Sequence, residues 1–220
     1  LLDSLLKRFN EIKQEKTGVR VFLTAFLETD ELPDMQLLLE KGFSMKTAVP
    51  VLKYDLEREA VHYKLPDDIT IEKLEFDEAG IRKYMHADLL VGGDMDAEAD
   101  LWFHAGDPSF TCYAAMCRSE VIGSISIWNI SAERSATENI FVVPGYRRMN
   151  IARELIATAV DDLKGRGKKI ATLSVSGLNL TAIKLYLSCG FSLYSTLQPR
   201  GVWPLFYCAF LCLAELPASH

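Results

Sequence analysis

The segment from residue 135 to 167 constrains the fold most, because an apolar strand pattern runs there through a tight turn into a helix pattern. The strand "SATENIFVV" is stopped by Pro144. From Ile151 onward, apolar residues recur on one face at helical spacing until Gly165 or Gly167 ends the run. The segment therefore predicts a strand–turn–helix unit within a protein built of a sheet and packed helices.

The turn carries Arg147, Arg148 and Asn150 immediately before the helix begins. The first amides of a helix have no partners inside the helix and lie at the positive end of its dipole, so they bind phosphate groups readily. Asn150 occupies a position where a positive φ is expected, and asparagine tolerates that conformation best after glycine. We interpret the turn as an anion site. The alternative is an ordinary helix N-terminus with surface arginines.

From residue 66 the sequence predicts the order β-α-α-β-β-β-α-β-α-β-β. We therefore expect an α/β (α+β) fold with a mixed, mostly antiparallel sheet flanked by helices. The predicted elements are strand 68–76, helix 78–90, a short helix around Leu101 and His104, a hairpin of "FTCYAAMC" and "VIGSISIWNI", strand 169–175, a helix capped by Asn179, and last strands from Phe191 and Trp203.

The first sixty residues repeat part of this pattern. Gly18 corresponds to Gly167 and Gly42 to Gly190, each pair enclosing a strand, a loop and a helix. An amphipathic helix precedes Gly18, and the apolar strand "AVPVLKYDL" follows the second glycine. We expect a tandem protein with a partial first unit at 1–60 and a whole unit at 66–220. The alternative is that two β-α-β pieces resemble each other by chance.

Composition excludes several classes of function. The chain has 220 residues, a net charge of -6 and a pI near 5.3, which disfavours a nucleic-acid binder. Its five cysteines include no CxxC pair, which argues against a zinc site and a disulfide framework. The most apolar run, 202–216, is too short to cross a bilayer. We expect a cytoplasmic protein with no metal site and no membrane partner.

Two motifs carry a resemblance to a known family. "ENIFVVPGYRRMNIARELI" resembles the acetyl-CoA-binding motif of the GNAT superfamily of N-acetyltransferases, a strand followed by a loop of the form Arg/Gln-x-x-Gly-x-Gly/Ala. "NLTAIKLYLSCGF" resembles the next motif of that superfamily, Asn-x-x-Ala-x-x-x-Tyr-x-x-x-Gly-Phe. The resemblance implies the GNAT fold and acetyl-CoA as the acyl donor. Asn150 departs from the family motif, because the family has glycine at this position of the loop.

The resemblance also implies coenzyme-binding residues. The backbone of the strand end should pair with the pantetheine arm, the turn should hold the pyrophosphate, and the following helix should contact the far side of the coenzyme. In this chain these positions are Phe141, Val142 and Val143 for the strand; Arg147, Arg148, Met149, Asn150, Ile151, Ala152 and Arg153 for the turn; and Asn179 and Tyr186 for the helix.

Acetyl transfer to an amine needs a base for the ammonium, a donor for the oxyanion and an acid for the departing thiolate. Glu138 resembles the general base of some family members, acting directly or through water. The alternative is a strand-end carboxylate that faces solvent. Tyr186 is the candidate acid, against the alternative of a tyrosine packed in the core. A backbone N–H near Val142 is the expected oxyanion donor. The first repeat has Leu38 where the second has Tyr186, so we expect the first repeat to have a structural role.

The acceptor is the least constrained part of the reaction. Asp94, Asp96, Glu98 and Asp100 would suit a cationic amine, and the alternative, which the pattern favours, is a solvated acidic loop. We expect direct acetyl transfer from acetyl-CoA to a primary amine of a small molecule or peptide. The alternatives are a non-catalytic acyl-CoA-binding module and an aminoacyl-transfer enzyme of tandem type. The oligomeric state is left open.

Overall fold

A computed structural model of the chain describes residues 2–15, 23, 27, 31–43, 45–92, 106–194 and 211–213. The helices in these residues are α1 (Leu2–Glu15), α2 (Leu32–Glu40), α3 (Glu78–Leu90), α4 (Ile151–Gly165) and α5 (Leu180–Ser188), with a 3-10 turn at Pro144–Tyr146. The strands are β1 (Met45–Ala48), β2 (Val51–Asp55), β3 (Ile69–Leu74), β4 (Thr111–Cys117), β5 (Glu120–Asn129), β6 (Arg134–Val142), β7 (Ile170–Ser174), β8 (Ser192–Leu193) and β9 (Leu211–Leu213).

The chain divides into two compact units. The larger unit comprises Leu52–Leu173 and Thr181–Ser195, and the smaller comprises Leu1–Val51, Ser174–Leu180 and Thr196–His220. The boundaries at 60 and 66 that the repeat predicts are not the boundaries of these units, and they stay a prediction about the repeat itself.

The larger unit contains a seven-stranded sheet in the order β3-β4-β5-β6-β7-β2-β8. Strands β3 to β6 pair antiparallel, whereas β6 and β7 pair parallel. The predicted hairpin joins β4 to β5 through Arg118 and Ser119, which both have positive φ, as a tight hairpin turn requires. The mixed, mostly antiparallel sheet predicted from the sequence is therefore confirmed.

Helices pack on both faces of this sheet. The inner face of α4 is fully apolar and buried, and it includes Leu155, Ala159 and Leu163. On the opposite face, Tyr84 of α3 is buried against Cys112 of β4. Successive side chains of a strand alternate between faces, so each helix covers its own set of strand residues. None of the helices within the described residues is long and apolar enough to cross a membrane.

The smaller unit is described by its helices and one strand pair. Leu38 of α2 and Phe43 form a buried cluster, against which Leu2 and Leu6 of α1 pack. Strands β1 and β9 pair antiparallel, with Ala48 opposite Leu211. The amphipathic first helix that the sequence predicts is thus present, and its buried residue is Phe9.

One predicted strand is wrong in its extent. The pattern "AVPVLKYDL" predicts a single strand, but the structure has two strands, β1 and β2, on either side of Val49 and Pro50. Proline cannot donate a ladder hydrogen bond, so it separates the two strands. The predicted last strand begins at Trp203, and the structure describes only residues 211–213 of it, which form β9. The predicted short helix near Leu101 and the first copy's strand after Gly18 lie outside the described residues.

Candidate active site

Strand β6 carries a bulge immediately after Glu138. Glu138 pairs with Ser126 of β5 and Phe141 pairs with Ser124, so the two residues between them face a single residue of β5. Asn139, the first of the two, has a φ of 53°. An extra residue in one strand bends it and redirects the side chains that follow. The bulge therefore lies between Glu138 and the last paired residues of β6, Phe141 and Val142.

The backbone of Val142 points away from β5. The amide of the next residue, Val143, donates to the carbonyl of Ile122 in β5 (2.8 Å), and neighbouring residues of a strand direct their backbone groups to opposite sides. On the other side, the ladder to β7 covers only three pairs, from Arg134–Ile170 to Ala136–Thr172. Val142 therefore directs its amide to the side where the ladder to β7 has ended, whereas the amide of Val143 is used within the sheet.

The turn after β6 has the left-handed residue that the sequence predicts at Asn150, and a second one, at Arg148, that the sequence does not predict. Asn150 has φ 61° and ψ 8°, and Arg148 has φ 67°. The side chain of Asn150 makes no capping hydrogen bond, and its carbonyl accepts the first bond of α4 from the amide of Glu154 (3.0 Å). The amides of Ile151, Ala152 and Arg153 precede that bond, so they are the group of helix amides suited to an anion. The positive φ expected at Asn150 is confirmed.

The side chains of the turn have different environments. Arg147, Arg148 and Met149 are exposed, whereas Ile151 is buried in the core and could contribute only its amide to a ligand. Arg147 donates from Nε to the carbonyl of Val142 (3.0 Å). The side chain of Arg153 is directed away from the turn, toward Tyr63 and Cys189. The structure therefore leaves the backbone of the turn, rather than one arginine, as its most suitable anion-binding feature.

Tyr186 and Glu138 lie within electrostatic reach of each other. Tyr186 of α5 is only 7% exposed, and its ring packs 6.0 Å from the ring of Phe191. Burial raises the pKa of the phenol above its ordinary value of 10, and the negative charge of Glu138 raises it further, followed by Cys189. The phenol is therefore protonated at neutral pH. The charge of Glu138 therefore acts on the Tyr186 phenol, and Tyr186 is also packed as a core residue.

A row of polar side chains leads from Glu138 into the sheet. Ser126 lies opposite Glu138 in β6 and opposite Cys112 in β4. Burial raises the pKa of the Cys112 thiol to about 12. The hydroxyl oxygen of Ser126 is fully buried beside the Cys112 thiol, whose pKa it lowers slightly against the larger effect of burial. Alternation along β5 places Ser126 on this face, but no sequence signal distinguishes it from a packed serine.

Asn179 is the predicted coenzyme contact that lies in the smaller unit. Its amide donates to the carbonyl of Ser176 (2.8 Å), and its side chain is exposed. Its proposed contact with the coenzyme stays a prediction.

Sequence reasoning missed two residues beside the turn, His62 and Tyr63. Both contact the first turn of α4, His62 through Glu154 and Tyr63 through Arg153. They lie in an irregular stretch without strand or helix periodicity, and their contacts span about ninety residues of sequence. No local pattern could have identified them.

These features coincide with a match to a known family. The chain belongs to the acetyltransferase (GNAT) family, a family of acyltransferases, whose sequence model matches residues 79–191. The matched segment covers more than half of the chain. It begins in α3 and ends just after α5, so it contains β6, the turn, α4 and Tyr186.

One curated relative is the [ribosomal protein bS18]-alanine N-acetyltransferase of Escherichia coli K12. It is 32% identical over 71 residues, which cover 32% of this chain and 48% of that protein. The chain therefore matches about half the length of this relative.

Two solved structures share the fold. A tandem GNAT protein from the clavulanic acid biosynthesis pathway is similar over 97% of this chain and 69% of its own, with a TM-score of 0.68 and 12% identity. An aminoglycoside N-acetyltransferase in complex with CoA is similar over 63% of this chain and 99% of its own, with a TM-score of 0.50 and 19% identity.

Proposed function

We propose that this chain transfers an acetyl group from acetyl-CoA to a primary amine of a small molecule or peptide. The observation that carries the proposal is the left-handed Asn150, which opens α4 at the end of β6 within the family's coenzyme motif. The amides of Ile151, Ala152 and Arg153 would receive the pyrophosphate. The backbone of Phe141, Val142 and Val143 would lie along the pantetheine arm, with the amide of Val142 directed to the thioester carbonyl at the end of that arm.

The proposed reaction needs no covalent enzyme intermediate. Glu138 accepts a proton from the ammonium, directly or through a water molecule, and the freed amine nitrogen attacks the thioester carbonyl carbon. The new C–N bond places negative charge on the carbonyl oxygen, which the amide of Val142 stabilises by a hydrogen bond. The carbon–sulfur bond then breaks, the nitrogen of the adduct loses its extra proton to give the amide, and the CoA thiolate takes up that proton, directly or through water. Holding amine and thioester together supplies a further part of the rate.

Tyr186 is proposed as the group that meets the departing sulfur. Burial and the charge of Glu138 raise the pKa of its phenol, so the proton is retained until a stronger base forms nearby. An ordinary thiol has a pKa of about 8.5, so complete proton transfer from this phenol to the thiolate is unfavourable. We therefore assign Tyr186 to donating a hydrogen bond that stabilises the developing negative charge on sulfur.

Two of the relatives support the proposed acceptor class. The bacterial relative is named for the alanine of a ribosomal protein, and the structural neighbour is named for aminoglycosides. Both names specify an amine, so we propose an amine acceptor and extend the candidates to small amines and peptide N-termini. The setting we propose is cytoplasmic, in keeping with the free thiols of Cys112, Cys117 and Cys189.

The first experiment is a calorimetric titration with acetyl-CoA, with free CoA and ADP as controls. The proposal predicts micromolar binding that is tighter for acetyl-CoA and CoA than for ADP, because the pantetheine arm adds contacts along β6. A thiol-release assay with small amines and with a peptide starting in alanine then measures turnover. Binding without turnover across the panel would favour a non-catalytic acyl-CoA-binding module, and absence of binding would refute the proposal.

Tyr186→Phe tests the mechanism. It keeps the buried ring and removes the hydroxyl, so kcat should fall about a hundredfold while the affinity for acetyl-CoA changes little. Tyr194→Phe is the matched control, because Tyr194 is half-buried beside Lys53 and outside the proposed site. Unchanged turnover in Tyr186→Phe would remove Tyr186 from the mechanism.

We also propose that residues 1–60 are a partial GNAT-like repeat without catalytic residues, followed by the catalytic unit at 66–220. Leu38 takes the place of Tyr186 in the repeat, and it is buried in the cluster of α1 and α2. The first copy thus keeps a packing residue where the second has a phenol.

A further inference from the structure

An irregular segment of the larger unit lies along α4. We call residues 56–64 the strap. Its first amide, that of Leu56, donates to the carbonyl of Lys169 (2.9 Å), and Glu59 forms an ion pair with Lys164 near the end of α4 (2.6 Å). The strap therefore follows α4 over most of the length of the helix. It belongs to none of the motifs that predict the coenzyme site.

His62 of the strap bridges two carboxylates of α4. Its Nδ1 lies 2.8 Å from Oε1 of Glu154, and its Nε2 lies 2.8 Å from Oδ2 of Asp161. An ionised carboxylate only accepts hydrogen bonds, so both ring nitrogens must carry a proton to satisfy both contacts. The geometry therefore requires the imidazolium form. In agreement, these two hydrogen bonds, that to Glu154 first, raise the pKa of His62 above 6.5.

Tyr63 holds the same turn of the helix. Its amide donates to Oε2 of Glu154 (2.7 Å), so both oxygens of that carboxylate are held by the strap. The guanidinium of Arg153 lies over the ring of Tyr63, 5.4 Å from its centroid, and Nη1 is 3.4 Å from the phenol oxygen. The strap thus binds two consecutive residues in the first turn of α4.

These two residues adjoin the proposed pyrophosphate site. Arg153 supplies one of the amides that precede the first helix bond, and Glu154 supplies the amide of that bond. A free carboxylate at Glu154 would repel an incoming pyrophosphate across a short distance. The positive charge of His62 offsets it. Protonation of His62 therefore fixes the backbone of the turn and reduces the repulsion of an anion at the same time.

We propose that His62 and Tyr63 are positioning residues for coenzyme binding, which brace the first turn of α4 from outside the family motif and hold it more tightly when His62 is protonated. The proposal rests on the proposed function, since it assumes that the turn binds the pyrophosphate of CoA. His62 is faced by Glu154 and Asp161 of α4, with Arg153 and Lys164 of the same helix and Glu59 of the strap nearby.

The test is calorimetric titration of the whole chain with free CoA at about pH 6 and about pH 8.5, on either side of the titration of His62. Between about pH 6 and about pH 8.5 the CoA affinity of the wild type should fall. The affinity of His62→Gln, whose side chain does not titrate, should fall about threefold less over the same range. The phosphates of CoA titrate equally in every variant, so only the difference between variants is informative. His86→Gln is the matched control, because His86 is exposed on α3, and it should follow the wild type.

Asp161→Asn is a second variant, which weakens the bridge without changing the first turn. It should shift the pH at which the CoA affinity falls to a lower value, because one carboxylate no longer stabilises the imidazolium. Tyr63→Leu should weaken CoA binding at both pH values. A purely structural role would lower the unfolding temperature of these variants and leave the CoA affinity of the folded protein unchanged.

The outcomes separate the two proposals. If neither the wild type nor any variant binds CoA at either pH, the proposed function fails. If CoA binds and His62→Gln has the affinity and pH profile of the wild type, the positioning role is refuted and the proposed function stands. A pH-dependent loss of affinity in the wild type and in His86→Gln, but not in His62→Gln, supports the positioning role.

Discussion

The left-handed backbone at Asn150 gives a quantitative prediction about the turn. Its φ of 61° costs a residue with a Cβ atom roughly 1–2 kcal/mol, glycine almost nothing, and asparagine an intermediate amount. The free energy of unfolding should therefore decrease in the order Gly, Asn, Ala, Val at this position. Asn150→Ala should lose about 1 kcal/mol, and Asn150→Val should lose more, because a β-branched side chain fits this conformation worst.

The structure isolates this effect from others. The side chain of Asn150 is exposed and makes no capping hydrogen bond, so its removal breaks no contact that would itself cost stability. Asn150→Gly also makes the unfolded chain more flexible, by roughly 0.4–1 kcal/mol, which offsets most of the relief in the folded state. Asn150→Gly should therefore be close to the wild type, and the main contrast is between glycine and valine.

Urea unfolding measures the stability order, and titration with CoA measures whether the turn keeps its shape for a ligand. Each kcal/mol should also shift Tm by roughly 2–4 °C for a chain of this size. Met149→Ala is the control, since Met149 is 40% exposed and does not have a positive φ. If Asn150→Val unfolds at the same urea concentration as Asn150→Gly and binds CoA equally well, the left-handed conformation is not required and the reasoning fails.

Three further predictions concern packing and pH. Gly123→Ala should lower the free energy of unfolding by roughly 1–3 kcal/mol, because a Cβ there would lie 2.9 Å from the carbonyl oxygen of Phe141. Urea unfolding measures this loss of stability. Leu163→Ala, at a fully buried position of α4, should cost about 2–5 kcal/mol in the same assay, whereas Lys83→Ala, at an exposed position of α3, should be nearly neutral. The stability that His62 contributes should be fully present below its unfolded pKa of 6.5 and should be lost as the pH rises through its raised folded pKa. The urea midpoints of the wild type and of His62→Gln should therefore converge at alkaline pH.

The fold of the larger unit was predictable because its elements have strong local signals. Helix α3 begins and ends at the predicted residues, Glu78 and Leu90, and Asp77 caps it by accepting from the amide of Gly80. The turn was predictable for the same reason, since proline, glycine and asparagine occupy the positions that fix its backbone.

Other features depend on contacts that the sequence does not encode locally. The bulge at Asn139 follows from the pairing of β6 with β5, in which Gly123 allows the two backbones to approach closely. The hold of His62 on Glu154 and Asp161 joins residues about ninety positions apart. Such contacts follow from the tertiary structure, and a pattern read along one segment cannot reveal them.

The order of the strands implies how the chain must fold. Strand β2, which lies within the first 60 residues, is placed between β7 and β8 in the sheet of the larger unit, and β9 pairs with β1 in the smaller unit. Ala48 and Leu211 meet across about 160 residues of sequence, and contacts this distant form slowly. The seven-stranded sheet needs β2 and the β1–β9 pair needs residues 211–213, so neither is complete during synthesis before its distant strand has been made. A chain cut between residues 60 and 66 should therefore complete neither the seven-stranded sheet nor the β1–β9 pair unless both fragments are present.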